Sequence, residues 1–148
     1  MRNSRKIIAI LIVLILAAAQ SALAAADGAY DLPRAKQVAQ QVNAERAKYG
    51  LKPLTVSGEL CKAAYTRALE IVKKFSHTRP NGSKWSTVSK KAYGENIAKG
   101  HKTVDKVMAA WLTSSGHRAN ILKKSYSSIG VACIRVNNIW YWVQLFGK

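Results

Sequence analysis

The chain has 148 residues, of which 24 are Lys or Arg and only 7 are Asp or Glu, giving a formal charge of +17 at pH 7. Its 49% hydrophobic content excludes a disordered polyelectrolyte, its two cysteines exclude a disulfide-dense mini-scaffold, and its length leaves room for a single core. The basic balance attracts polyanions with salt-sensitive affinity, but the lysine runs stop at pairs (Lys73-Lys74, Lys90-Lys91, Lys123-Lys124) and no nucleic-acid-binding signature occurs, so a soluble surface without specific nucleic-acid binding is expected.

The first residues read as an export signal. Arg2, Arg5 and Lys6 form a positive n-region, Ile7 to Ala19 an apolar h-region, and Ala22-Leu23-Ala24 or Ala24-Ala25-Ala26 offers small residues for cleavage. The competing reading is an uncleaved anchor over Ile7 to Ala26, which Gln20 and Ser21 interrupt. No cysteine follows the h-region to accept a lipid. The expected organisation is a cleaved signal at 1–26, a short flexible leader at 27–32 and one domain at 33–148, secreted and monomeric. Removing the three signal cations from +17 leaves +14 on about 120 residues.

Three helices are expected next. Asp31 is a candidate N-cap with Pro33 in the first turn, apolar residues recur at Ala35, Val38, Ala39 and Val42, and Gly50 marks the stop. A second helix after Ser57 carries Leu60, Ala64, Ala68, Ile71, Val72 and Phe75 on one stripe. A third starts from Thr103 as N-cap and carries Val104, Val107, Met108 and Trp111. Ser114 or Ser115 would cap a short helix through Ile121 and Leu122.

Ile129 to Val136 and Ile139 to Phe146 are β-prone runs joined by Asn137-Asn138, a pair that tolerates left-handed backbone, so an antiparallel hairpin is expected. Both runs are apolar at odd and even positions. A sheet buried on both faces, with helices on two sides, follows. A further short strand is expected near Thr55 or before Glu95.

Three polar runs stand out: FSHTRPNG at 75–82, AYGENIAKG at 92–100 and WLTSSGHRANIL at 111–122. They hold His77, Glu95 and His117, groups able to exchange protons or bind a metal near neutral pH. His77 is placed at the end of the second helix, after a buried Phe75, where it could instead only cap the helix dipole. Glu95 could instead be a structural acid paired with a cation. Asn96 is expected to brace a turn, His101 to be ordinary surface, and Ser114 and Ser115 not to be nucleophiles. Cys61 and Cys133 could form one disulfide, worth roughly 4 kcal/mol for a loop of about 70 residues, or remain two buried thiols.

Together with VNAERAKYGLKPL at 42–54, SIGVAC at 128–133 and YWVQLFG at 141–147, these runs resemble the CAP superfamily (cysteine-rich secretory, antigen 5 and pathogenesis-related proteins), in its small bacterial secreted branch. The resemblance implies an α+β fold, an α-β-α sandwich around a small antiparallel sheet. It carries two site histidines onto His77 and His117 and one site glutamate onto Glu95. A second glutamate of many eukaryotic members is replaced here by Ser114. Two imidazoles and a carboxylate suit a divalent cation such as Zn2+ if they converge. The function implied is an extracellular binding or interaction module with a His/Glu cleft, its ligand a lipid, a wall polymer or a host protein. Two alternatives are a metal-assisted hydrolase with Glu95 as general base, and a basic protein held electrostatically on anionic cell-wall polymers.

Overall fold

The computed structural model describes residues 28–148; the expected signal segment lies outside them. Among the described residues no helix is long and apolar enough to cross a membrane. Helix α1, Leu32–Lys48, starts where expected: Asp31 Oδ1 accepts from the Arg34 amide at 3.0 Å, and Pro sits in the first turn. Gly50 follows the helix with φ of 65°, backbone that glycine adopts without a Cβ penalty. Strand β1, Thr55–Val56, leads into α2, Gly58–Lys73, whose cap is Ser57. A single 3-10 turn, Trp85–Val88, precedes β2, Gly94–Lys99. Helices α3, Val104–Thr113, and α4, Ser115–Ile121, meet at Ser114, and the hairpin of β3, Ser128–Val136, and β4, Ile139–Gly147, closes the chain.

The hairpin turn is the expected one, with Asn137 at φ 48° and Asn138 at φ 63°. The sheet runs β1-β3-β4-β2. It is mixed and not wholly antiparallel as expected, because the two-residue β1 pairs parallel with β3 at the far edge. β2 includes Glu95 instead of preceding it.

Side-chain alternation along β3 and β4 splits the core in two. Ile129, Val131, Cys133, Trp142 and Phe146 face α1, α3 and α4, while Ala132, Ile134, Tyr141, Val143 and Leu145 face α2. This is the α-β-α sandwich, helices covering both faces of one sheet. Residues expected in a flexible leader are tied down: the Gly28 amide donates to Arg135 O at 2.7 Å, the Asp31 amide to Cys133 O at 2.8 Å, and Tyr30 bridges Ile134. Phe75 departs from its expected stripe. Since α2 ends at Lys73, the ring lies beyond the helix, 42% exposed, with the Lys99 ammonium 4.9 Å from its centroid.

Candidate functional site

The site is built on β2 and on the two helices that flank it. Arg67 lies on the buried stripe of α2, and its guanidinium is fully buried against the fully buried Glu95 of β2. Nε donates to Oε2 at 2.6 Å and Nη2 to Oε1 at 3.2 Å. Such a desolvated pair holds only because the remaining donors are also met. Arg67 Nη1 reaches Glu70 at 2.7 Å and Nη2 the Ser76 carbonyl at 2.7 Å. Glu70 in turn accepts from Arg79, so charges alternate from the surface inward: Arg79, Glu70, Arg67, Glu95.

His77 ends this line. It lies four residues past the last residue of α2, Lys73, and so does not cap that helix, contrary to its expected place. Its loop is closed by the Trp85 amide on His77 O at 3.0 Å and by Gly82, φ 84°, at the Asn81-Gly82 turn. The imidazole is 52% exposed, and Nδ1 lies 2.8 Å from Glu95 Oε1. A carboxylate held by an arginine can only accept, so Nδ1 carries the proton, and in the neutral tautomer it is Nε2 that has the lone pair.

His117 arrives from α4. Ser114 caps that helix through its backbone only, its hydroxyl making no capping bond. A buried amide chain docks α4 onto β2: Asn96 Nδ2 donates to His117 O at 3.0 Å and to Gln144 Oε1 at 2.9 Å, and Asn120 Nδ2 donates to Asn96 Oδ1 at 2.9 Å. Asn96 therefore braces a helix and not a turn. Burial, and secondarily the charge of nearby His77, lowers the His117 pKa below its ordinary 6.5.

The fold thus brings His77, Glu95 and His117 into one neighbourhood, with unequal roles. Both Glu95 oxygens are engaged by Arg67 and His77, leaving no face of the carboxylate for a substrate or an ion. Among the described residues no three His, Cys, Asp or Glu side chains are arranged to hold a metal. Of the three groups, the two imidazoles keep ring nitrogens free of the carboxylate, and Glu95 stands behind His77, bonded to its Nδ1. Beside His117 opens a cleft of about 310 Å³ whose walls include Phe75, Trp111 and Ser114, with Ile97, Ala98 and Lys99 along β2. His101, expected to be ordinary surface, also lines it. The only signal for that was its position just past a strand carrying Glu95. A more voluminous groove, about 630 Å³ between α1 and α3, is lined by Gln37, Gln41, Thr103 and Asp105 and contains none of the three site residues.

Residues 39–146 match the model of the cysteine-rich secretory protein family, CAP. The chain belongs to this family. A CAP relative among curated proteins is the uncharacterized protein YkwD of Bacillus subtilis (strain 168), 42% identical over 121 residues, covering 76% of this chain and 47% of YkwD. This CAP chain therefore spans about half the length of that relative. Among solved structures, an outer surface protein from Borrelia burgdorferi is similar with a TM-score of 0.71 at 24% identity, covering 79% of this chain and 93% of that one. An extracellular SCP-domain protein from Bacillus anthracis str. Ames is similar with a TM-score of 0.68 at 23% identity, over 78% of this chain and 41% of that one. Two CAP-fold neighbours were solved with a metal: NaASP2 with Zn2+ (TM-score 0.64, 17% identity, 83% of each chain) and manganese-bound Ac-ASP-7 (TM-score 0.60, 12% identity, 80% of this chain and 70% of that one).

In this CAP domain both cysteines are free thiols, so the disulfide weighed from the sequence is not formed. Cys133 points from β3 into the α1 layer, and Cys61, on the first turn of α2, lines a small apolar pocket with Tyr30, Ala35, Ala39 and Val131. Tyr30 lies beside both, its hydroxyl bonded to Val131 O at 2.8 Å.

Proposed function

We propose that this CAP domain acts outside the cell as a binding module in which the imidazoles of His77 and His117 hold a divalent cation such as Zn2+. The observation that supports it most is the Glu95–His77 hydrogen bond. A carboxylate on Nδ1 fixes the tautomer and leaves Nε2 as the free donor atom, the arrangement that orients metal-bound histidines generally. The lowered pKa of His117 keeps that ring neutral and ligating at neutral pH. Metal-bound fold neighbours and an extracellular one agree with this reading. Only two protein ligands face the ion, so water would complete its shell; a cation held there supplies Lewis acidity and exchangeable positions for a ligand. Glu95 acts as a positioning residue. The hydrolase reading with Glu95 as general base has no free carboxylate oxygen to use.

The test is calorimetry with zinc on the folded domain. One cation should bind per chain, and binding should vanish in the His77→Ala, His117→Ala double variant. Zinc binding unchanged by that double substitution would overturn the reading.

A second reading, retention on anionic wall polymers, draws on the charge arrangement. Asp31, Glu45, Glu59, Glu70 and Glu95 all sit in ion pairs, and Asp105 accepts from Gln41, so among the described residues the excess cations have few acidic neighbours. It requires binding to a wall preparation that falls steeply with salt and persists in the histidine double variant; salt-insensitive retention would exclude it.

A further inference from the structure

Among the described residues β2 is an edge strand, paired only with β4. Its register with β4 opposes Ile97 to Val143, Ala98 to Trp142 and Lys99 to Tyr141, and beyond its end the Gly100 amide donates to Trp140 O at 2.8 Å. Antiparallel ladders alternate, so Gly100, Ala98 and Asn96 direct their backbone groups at β4, while Lys99, Ile97 and Glu95 direct theirs outward. Two outward carbonyls are seen in use: Glu95 O accepts from Asn120 Nδ2 at 3.3 Å, and Ile97 O from Trp111 Nε1 at 3.4 Å. No side chain among the described residues accepts from the amides of Ile97 or Lys99.

The cleft lies along this same edge. It is lined by Ile97, Ala98 and Lys99 of β2, by Phe75 from beyond the end of α2, and by Ser114 and His117 from the α3–α4 junction. A slot lined by a strand edge fits an added strand. Its charge selects the occupant: the Lys99 ammonium lines it, no acid does among the described residues, and Glu95 nearby is neutralised by Arg67, while the neutral ring of His117 can offer only an N–H.

We propose that the outer edge of β2 at Ile97–Lys99 binds an extended, acidic peptide segment by strand addition, with the segment's carboxylates against Lys99 and the cleft histidines. Main-chain hydrogen bonds to the two outward amides and the Lys99 carbonyl supply register, and the exposed Phe75 ring gives an alternate side chain apolar contact. This deepens the reading of the chain as an extracellular binding module and rests on it, since His117 serves both the imidazole pair and the cleft.

The experiment titrates the domain into a dye-labelled hexapeptide of alternating aspartate and valine, followed by fluorescence anisotropy. The same peptide methylated on its backbone nitrogens keeps its charge and its extended form but cannot donate to a strand; it should bind about tenfold more weakly. On the protein side, Lys99→Gln removes the charge and Lys99→Pro also removes the outward amide, which an edge strand tolerates because that amide is not part of the β4 ladder. Lys99→Pro should bind about tenfold more weakly than Lys99→Gln. Equal affinity for the two peptides, or for the two variants, overturns strand addition in favour of plain charge attraction. Equal affinity for a lysine–valine hexapeptide overturns the acidic preference. A zinc titration of the same preparation keeps failures apart: zinc binding without peptide binding sinks only this inference, and loss of zinc binding sinks only the imidazole pair.

Discussion

His77 Nδ1 donates to Glu95 Oε1 across 2.8 Å, from a half-exposed loop to a carboxylate with no solvent exposure. The other Glu95 oxygen takes Arg67 Nε at 2.6 Å. One acid thereby anchors the loop to the core and sets which nitrogen of His77 faces outward.

Glu95→Gln puts an amide N–H2 in place of one carboxylate oxygen, and either position faces a donor, Arg67 Nε on one side or Arg67 Nη2 with the His77 Nδ1–H on the other. Breaking a buried pair by altering one partner costs about 3 kcal/mol, whereas truncating the half-exposed His77 to Ala should cost about 1 kcal/mol. Urea unfolding of both variants checks the order. A Glu95→Gln protein as stable as the parent would contradict the positioning role.

Gly130→Ala should be among the most damaging single methyl additions in the domain. A Cβ on this β3 residue would overlap the backbone of Leu60 and Cys61 in α2, so the helix must retreat and loosen the whole α2 face. We expect a loss of about 3 kcal/mol, read as a fall in Tm with weakened near-ultraviolet dichroism. An unchanged Tm would show that α2 is free to shift.

Acid stability should depend on Glu70. Burial opposes ionisation of its carboxyl, but hydrogen bonds from Arg79 and Arg67 outweigh that and hold its pKa below the ordinary 4.5. A depressed carboxylate stabilises the fold above its unfolded pKa, and the contribution is lost as pH falls from about 4.5 through the folded value. Glu70→Gln should therefore lower stability at pH 7 and flatten the fall below pH 4.5. Parallel pH profiles for parent and variant would refute this.

The thiols should report burial without a bridge. Burial, and next the charge of Asp31, raises the Cys133 thiol pKa far above the ordinary range. Cys133 should resist a thiol reagent until the domain unfolds, and a reductant should leave Tm unchanged. A Tm that drops on reduction would demonstrate a disulfide.

Much of the fold was legible because its signals are local. Capping residues at 31, 57 and 103, the apolar spacing of α1 and α3, and Asn137-Asn138 each act within a few residues of chain, and the elements appear there. Phe75 failed because spacing alone cannot tell where a helix stops. Arg46 and Arg67 each continue a buried stripe, Arg46 four residues after Val42 and Arg67 three after Ala64, and a cation at such a position is readily taken for surface. Arg46 is 1% exposed, its guanidinium donating to the carbonyls of Lys52, Ile121 and Lys123. Their place on the stripe was the available clue.

By itself the sequence determined the helices, the hairpin, the burial of both sheet faces and the identity of the titratable groups, since periodicity and capping are written in neighbouring residues. Tertiary structure alone decided what those groups can do. Pairing β2 with β4 at the sheet edge and laying α2 across it put Arg67 on Glu95 and turned a candidate base into the partner that orients His77. Charges buried together set one another's protonation and direction, and that coupling depends on distances through space that no spacing along the chain contains.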